Sequence, residues 1–148
     1  MLGIIFILLL TSSCRIVESG EVGIRIRFGK VSSHETKEGI NLKIPFIERI
    51  EKMNVRVQKT EVTTNSSSKD LQDVDMSLVV NYRIDKNQAI KLYKNVGKNY
   101  EQVILEPAIE EGIKAVTSRY TAEELITQRS KVSEECKKEL DKKVDRKS

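Results

Sequence analysis

The stretch Val74-Asp75-Met76-Ser77-Leu78-Val79-Val80-Asn81-Tyr82-Arg83-Ile84 decides the fold class. Val74, Met76, Leu78, Val80, Tyr82 and Ile84 occupy every second position, with Asp75, Ser77, Val79, Asn81 and Arg83 between them. Successive side chains of an extended chain point to opposite faces, so this is a strand with one apolar face. Such a face needs a cover, and the next residues supply one. Asp85 or Asn87 can cap a helix carrying Ala89, Ile90, Tyr93 and Val96, and Gly97 can stop it. Toward the N-terminus, Val22, Ile24, Ile26 and Phe28 alternate with Glu21, Gly23, Arg25 and Arg27 as another half-buried strand. A polar loop is expected through His34 to Glu38. Ile40, Leu42 and Ile44 then form a short strand from Gly39, which Pro45 ends because it has no N–H to donate. A third strand is expected from Met53 to Val62, slipping near Thr60, before a polar connection from Thr63 to Asp70. Strands come first and helices follow. The fold class is α+β, an antiparallel sheet covered by helices.

The C-terminal half reads as helices throughout. Asn99 starts one that Pro107 should kink or restart, and Ile109, Ile113, Val116 and Tyr120 continue it at helical spacing. Thr121-Ala122-Glu123-Glu124 matches a capping box, in which a Thr hydroxyl and a Glu carboxylate reciprocally satisfy two backbone N–H groups. On the helix it opens, Leu125, Val132, Cys136, Leu140 and Val144 form a narrow apolar stripe between charged residues. That stripe suits either its own domain or a helix of a second subunit. It is expected to be an oligomer seam, so that Leu140→Glu would weaken assembly while sparing the fold.

The first residues depart from the rest of the chain. Met1 to Ser13 carries no charged side chain, and Leu2, Ile4, Ile5, Phe6, Ile7, Leu8, Leu9 and Leu10 are strongly apolar. Those eight side chains favour membrane over water by roughly 2.5–5 kcal/mol on an insertion scale. A helix reaching Cys14 spans about 21 Å, short of a hydrocarbon core of about 30 Å. Ile16 and Val17 extend it, with Arg15 able to snorkel. Three readings compete: a short membrane anchor, a lipoprotein-type signal ending in a lipid-modified Cys14, and a buried core segment. The second rests on Thr11-Ser12-Ser13 preceding the cysteine. A cleaved secretory signal would carry basic residues before the apolar run, and none is present.

Catalytic, cofactor and metal chemistry find no support. With a single histidine, His34-Glu35-Thr36-Lys37-Glu38 lacks the second imidazole that a zinc-protease helix requires. Gly23 through Lys30 has the wrong glycine spacing for a phosphate loop, and Val31 stands where a magnesium-binding hydroxyl belongs. Cys14 and Cys136 make neither a disulfide framework nor a metal site. Lys and Arg are interleaved with Asp and Glu, and the net charge is only +4. With aromatics at 5% there is no basic, base-stacking stripe, so no nucleic-acid partner is expected.

Read in order, the chain resembles the SPFH family, also called the prohibitin or band-7 family. The resemblance is carried by Val17-Glu18-Ser19-Gly20-Glu21-Val22-Gly23, Arg27-Phe28-Gly29-Lys30-Val31 and Glu38-Gly39-Ile40-Asn41-Leu42-Lys43-Ile44-Pro45-Phe46. Asn54-Val55-Arg56-Val57-Gln58, Tyr82-Arg83-Ile84, Glu106-Pro107-Ala108-Ile109 and Thr121-Ala122-Glu123-Glu124-Leu125-Ile126 with Arg129 complete it. It implies an anchor or signal over 1–17, an SPFH domain over 18–120, and the start of an amphipathic, coiled-coil-like helix over 121–148. It also implies a non-enzymatic, single-pass membrane scaffold with its domain on the non-cytoplasmic side. The partners so implied are membrane lipid, identical or related subunits, and a membrane-bound protease that the assembly restrains. The loop Ile44-Pro45-Phe46-Ile47 is expected, by the same analogy, to dip into lipid. Family chains usually continue past the point where this one ends. The alternative is a monomeric, lipoprotein-like binding module anchored through Cys14.

Overall fold

A computed structural model describes residues 14–147, apart from the side chains of residues 35 and 144–147. The chain forms two compact units that interleave in sequence. One holds residues up to 58 together with 82–98, and the other holds 59–81 and the residues from 99 onward.

In the first unit, β1 (Cys14–Val17) pairs antiparallel with β4 (Gly39–Leu42), Cys14 opposite Leu42 and Ile16 opposite Ile40. A three-stranded antiparallel sheet places β2 (Glu21–Arg27) between β3 (Lys30–Thr36) and β5 (Glu48–Asn54). The alternation read over β2 holds: Val22, Ile24 and Ile26 are buried, with Ile50 and Met53 of β5 and Val17 of β1. Gly23 is needed because a Cβ there would sit 2.9 Å from both the Thr36 Cβ and the Val17 Cγ2. Helix α1 (Lys86–Asn95) packs against β2 and β3. The Asp85 carboxylate accepts the Asn87 N–H at 2.9 Å to cap it, and Gly97, at φ +90°, ends it.

Two expectations fail in this unit. The residues after Lys30 are a strand and not a loop. Their polar side chains hid an edge strand whose ladder with β2 is made by backbone alone. Phe28 does not continue the buried face of β2. With Gly29 it forms a two-residue turn at φ +49° and +77°, and its ring is 77% exposed.

In the second unit, β6 (Gln58–Ser67) and β7 (Asp73–Tyr82) form a hairpin, its strands running oppositely as the Asn65–Asp75 and Glu61–Ser77 side-chain pairs show. β6 continues through residues expected to be a connection. Thr60, Val62 and Ser66 face inward in alternation although two of them are polar. The third strand of the sequence reading is therefore two, β5 and β6, lying in different units. A π-helical turn, Glu101–Leu105, leads into α2 (Glu106–Thr117), with Pro107 in the first turn of α2, where a missing N–H is tolerated. Helices α3 (Ala122–Thr127) and α4 (Arg129–Lys147) follow, broken at Gln128. The capping box is present, Thr121 Oγ1 accepting the Glu124 N–H and Glu124 Oε2 accepting the Thr121 N–H.

The hairpin's apolar face meets these helices in two clusters. Val62, Ile109, Ile113 and Leu140 form one, and Val116, Tyr120, Val132 and Cys136 the other. Met76 and Leu78 pack against both. The strand quoted at the outset is thus the floor of this core.

Candidate functional site

One end of the first unit is built from the Phe28–Gly29 turn and the loop of residues 43–47 joining β4 to β5. The turn and the loop are tied by the Phe28 N–H donating to the Ile47 carbonyl at 3.1 Å. The loop closes on itself through the Glu48 N–H and the Ile44 carbonyl at 2.9 Å. Its tip is Phe46, at φ +69° and 95% exposed, with Ile44 and Ile47 also open to solvent.

The residue holding this loop is Glu48, whose side chain is 1% exposed. Oε1 accepts from Arg27 Nε at 2.7 Å and Nη2 at 2.5 Å. Oε2 accepts from Arg25 Nη1 and from the Ile44 backbone N–H, both at 3.2 Å. A buried carboxylate is tolerated only when paired and hydrogen-bonded, and here both oxygens are used. The Arg27 guanidinium, then the Ile44 N–H, hold the Glu48 carboxyl below its usual range. Sequence reasoning missed this residue. Arg25 and Arg27 stand 23 and 21 positions from Glu48, and only the β2–β5 register, Arg27 opposite Glu48, brings them together.

Beside this, Ile16 of β1 and Ile40 and Leu42 of β4 are exposed. Directly opposed residues of an antiparallel pair share a face, so Cys14, Ile16, Ile40 and Leu42 make one apolar surface. Cys14 is free and exposed there. The expected anchor, Leu2, Ile4, Ile5, Phe6, Ile7, Leu8, Leu9 and Leu10, lies outside the described residues. Among the described residues no helix is long and apolar enough to cross a membrane.

The stripe on the last helices is placed otherwise than expected. Val132, Cys136 and Leu140 are buried in their own unit, and Leu125 packs against the same core. The Val144 side chain lies outside the described ones. Burial pushes the Cys136 thiol up from its ordinary value, which disfavours the thiolate that a nucleophile needs. His34 is exposed on β3, and the glycine-containing run from Gly23 to Lys30 is a β-hairpin, not a phosphate cradle.

The described residues form two α+β units, the first of which carries an exposed apolar tip borne on two turns. The description "SPFH domain / Band 7 family" applies to residues 15–148, and the chain belongs to that family. It is 41% identical over 103 residues to "Prohibitin-1, mitochondrial" of Arabidopsis thaliana, covering 70% of this chain and 36% of that protein. It is 35% identical over 114 residues to "Prohibitin 1" of Drosophila melanogaster, 77% of this chain and 41% of that one. With "Prohibitin-1" of Saccharomyces cerevisiae it shares 31% over 125 residues, 84% and 44% respectively. The chain spans less than half the length of these relatives.

Proposed function

We propose that this chain is a non-enzymatic, membrane-anchored subunit of a prohibitin-type oligomeric scaffold. The observation that carries this is the exposed apolar end of the first unit, Phe28 and Ile44–Phe46–Ile47 beside Ile16, Ile40 and Leu42, in a chain of the SPFH family. Contiguous exposed apolar surface marks a membrane or protein contact. Residues 2–10 hold the chain to the bilayer, single-pass with its domains on the non-cytoplasmic side, and the loop Ile44-Pro45-Phe46-Ile47 dips into lipid. Assembly is with identical or related subunits. Because Val132, Cys136 and Leu140 are occupied within their own unit, lateral packing falls to Leu71, Val79, Val103 and Ile126, all exposed. A membrane-bound protease is a partner that such an assembly would restrain.

Light scattering on the detergent-solubilised full-length chain tests this. A large, homogeneous oligomer is expected, and a lone 16.9-kDa species overturns the reading. The exposed, free Cys14 keeps one second reading in view, a monomeric binding module held by a lipid on that thiol. Intact mass separates the two: an added acyl mass on Cys14 together with a monomer supports the second.

A further inference from the structure

The tip is not only apolar. Residues 25–30 and 43–49 contain five cations, Arg25, Arg27, Lys30, Lys43 and Arg49, against one carboxylate, Glu48. That carboxylate is buried and fully engaged by Arg25, Arg27 and the Ile44 N–H. The outward field of this end is therefore cationic. Arg49 is paired with Glu51 at 3.0 Å, but Lys30 and Lys43 have no carboxylate partner among the described side chains. Lys30 stands opposite Arg27 across the Phe28–Gly29 turn, and Lys43 directly precedes the loop. Both exposed rings, Phe28 and Phe46, thus sit on turns flanked by lysines that have no carboxylate partner among the described side chains.

We infer that this end docks on a bilayer bearing anionic phospholipid headgroups, Phe46 and Phe28 entering the acyl boundary while Lys30 and Lys43 meet headgroup phosphates. It rests on the membrane-scaffold reading and names the lipid class. Aromatic side chains on a turn bury apolar area at the headgroup boundary, and nearby basic residues add attraction to an anionic leaflet. A protein groove would be matched by a helix face or a strand edge, whereas these rings protrude from turns. The Glu48 pairings serve the same end, since an open carboxylate here would repel the headgroups.

The chain contains no tryptophan, so Phe46→Trp places a single indole at the tip. The full-length variant is reconstituted into vesicles of phosphatidylcholine alone or with phosphatidylglycerol, then followed by flotation and by indole emission. A blue shift confined to the anionic vesicles and reversed by high salt is expected. Lys30→Ala and Lys43→Ala should each lower the inserted-to-free ratio by roughly fivefold, with an unchanged circular dichroism spectrum. Equal shifts in both vesicle types overturn the charge-reading role. Flotation with both and a shift in neither overturns the tip as a lipid contact but leaves the anchored scaffold standing. Failure to float with either overturns both readings.

Discussion

Gly23 and Glu48 carry more of the first unit than their neighbours in sequence suggest. At Gly23 a methyl group would meet β1 and β3 together, at 2.9 Å from Val17 Cγ2 and Thr36 Cβ. Gly23→Ala should destabilise the protein by about 1–3 kcal/mol, the cost of overpacking a close-packed site, measured as a shift in chemical denaturation midpoint at unchanged slope. Glu48 governs the tip. Its folded-state pKa is depressed, so its stabilisation is complete above the ordinary glutamate value of 4.5 and is lost as pH falls through the lower folded value. Acidification into that range should therefore free the Ile44 amide before the β2–β5 ladder opens. Glu48→Gln should do the same at neutral pH, read as faster hydrogen exchange at Ile44 with Ile24 still protected. Unchanged exchange at Ile44 would show that the loop holds itself.

At the level of elements, the last helices show what a linear pattern conveys and what it leaves open. The capping box, the helical stripe and a restart of α-helical winding at Pro107 were all legible, because each depends on residues within one or two turns. Thr121→Ala should remove the cap and cost about 1 kcal/mol in thermal or denaturant unfolding. Which body the stripe faces was not legible. Leu125, Val132, Cys136 and Leu140 have the same spacing whether the partner is a second copy or the hairpin of β6 and β7, far upstream in the chain. Tyr120, whose hydroxyl donates to Glu135 at 2.7 Å, and Gly112, which a Leu140 methyl approaches, dock α4 inward. Leu140→Ala should accordingly cost about 2–5 kcal/mol as a core truncation. Leu140→Glu should unfold this unit, so that far-ultraviolet ellipticity falls along with any assembly. The polar strand β3 and the extension of β6 to Ser67 were hidden for a related reason. Backbone ladders need no apolar side chain, and an inward Thr or Ser looks like loop in a sequence.

Across the whole molecule, α+β architecture followed from strand periodicity giving way to helical periodicity, and family membership from the ordered series of short motifs. The two-unit division did not, since it depends on which strands pair, and β5 and β6 are almost continuous in sequence. The interleaving has a consequence for how the protein can be cut or made. The chain leaves the first unit after residue 58, returns at 82 and departs for good after 98. A ribosome therefore releases the hairpin before α1, which closes the first unit, and long before the helices that shelter Val62, Met76 and Leu78. During that interval the nascent hairpin has a bare greasy side and calls for a chaperone. A single protease cut cannot separate the two units from each other, and a fragment ending at residue 98, which keeps the hairpin without its helices, should precipitate rather than behave as a miniature of its parent.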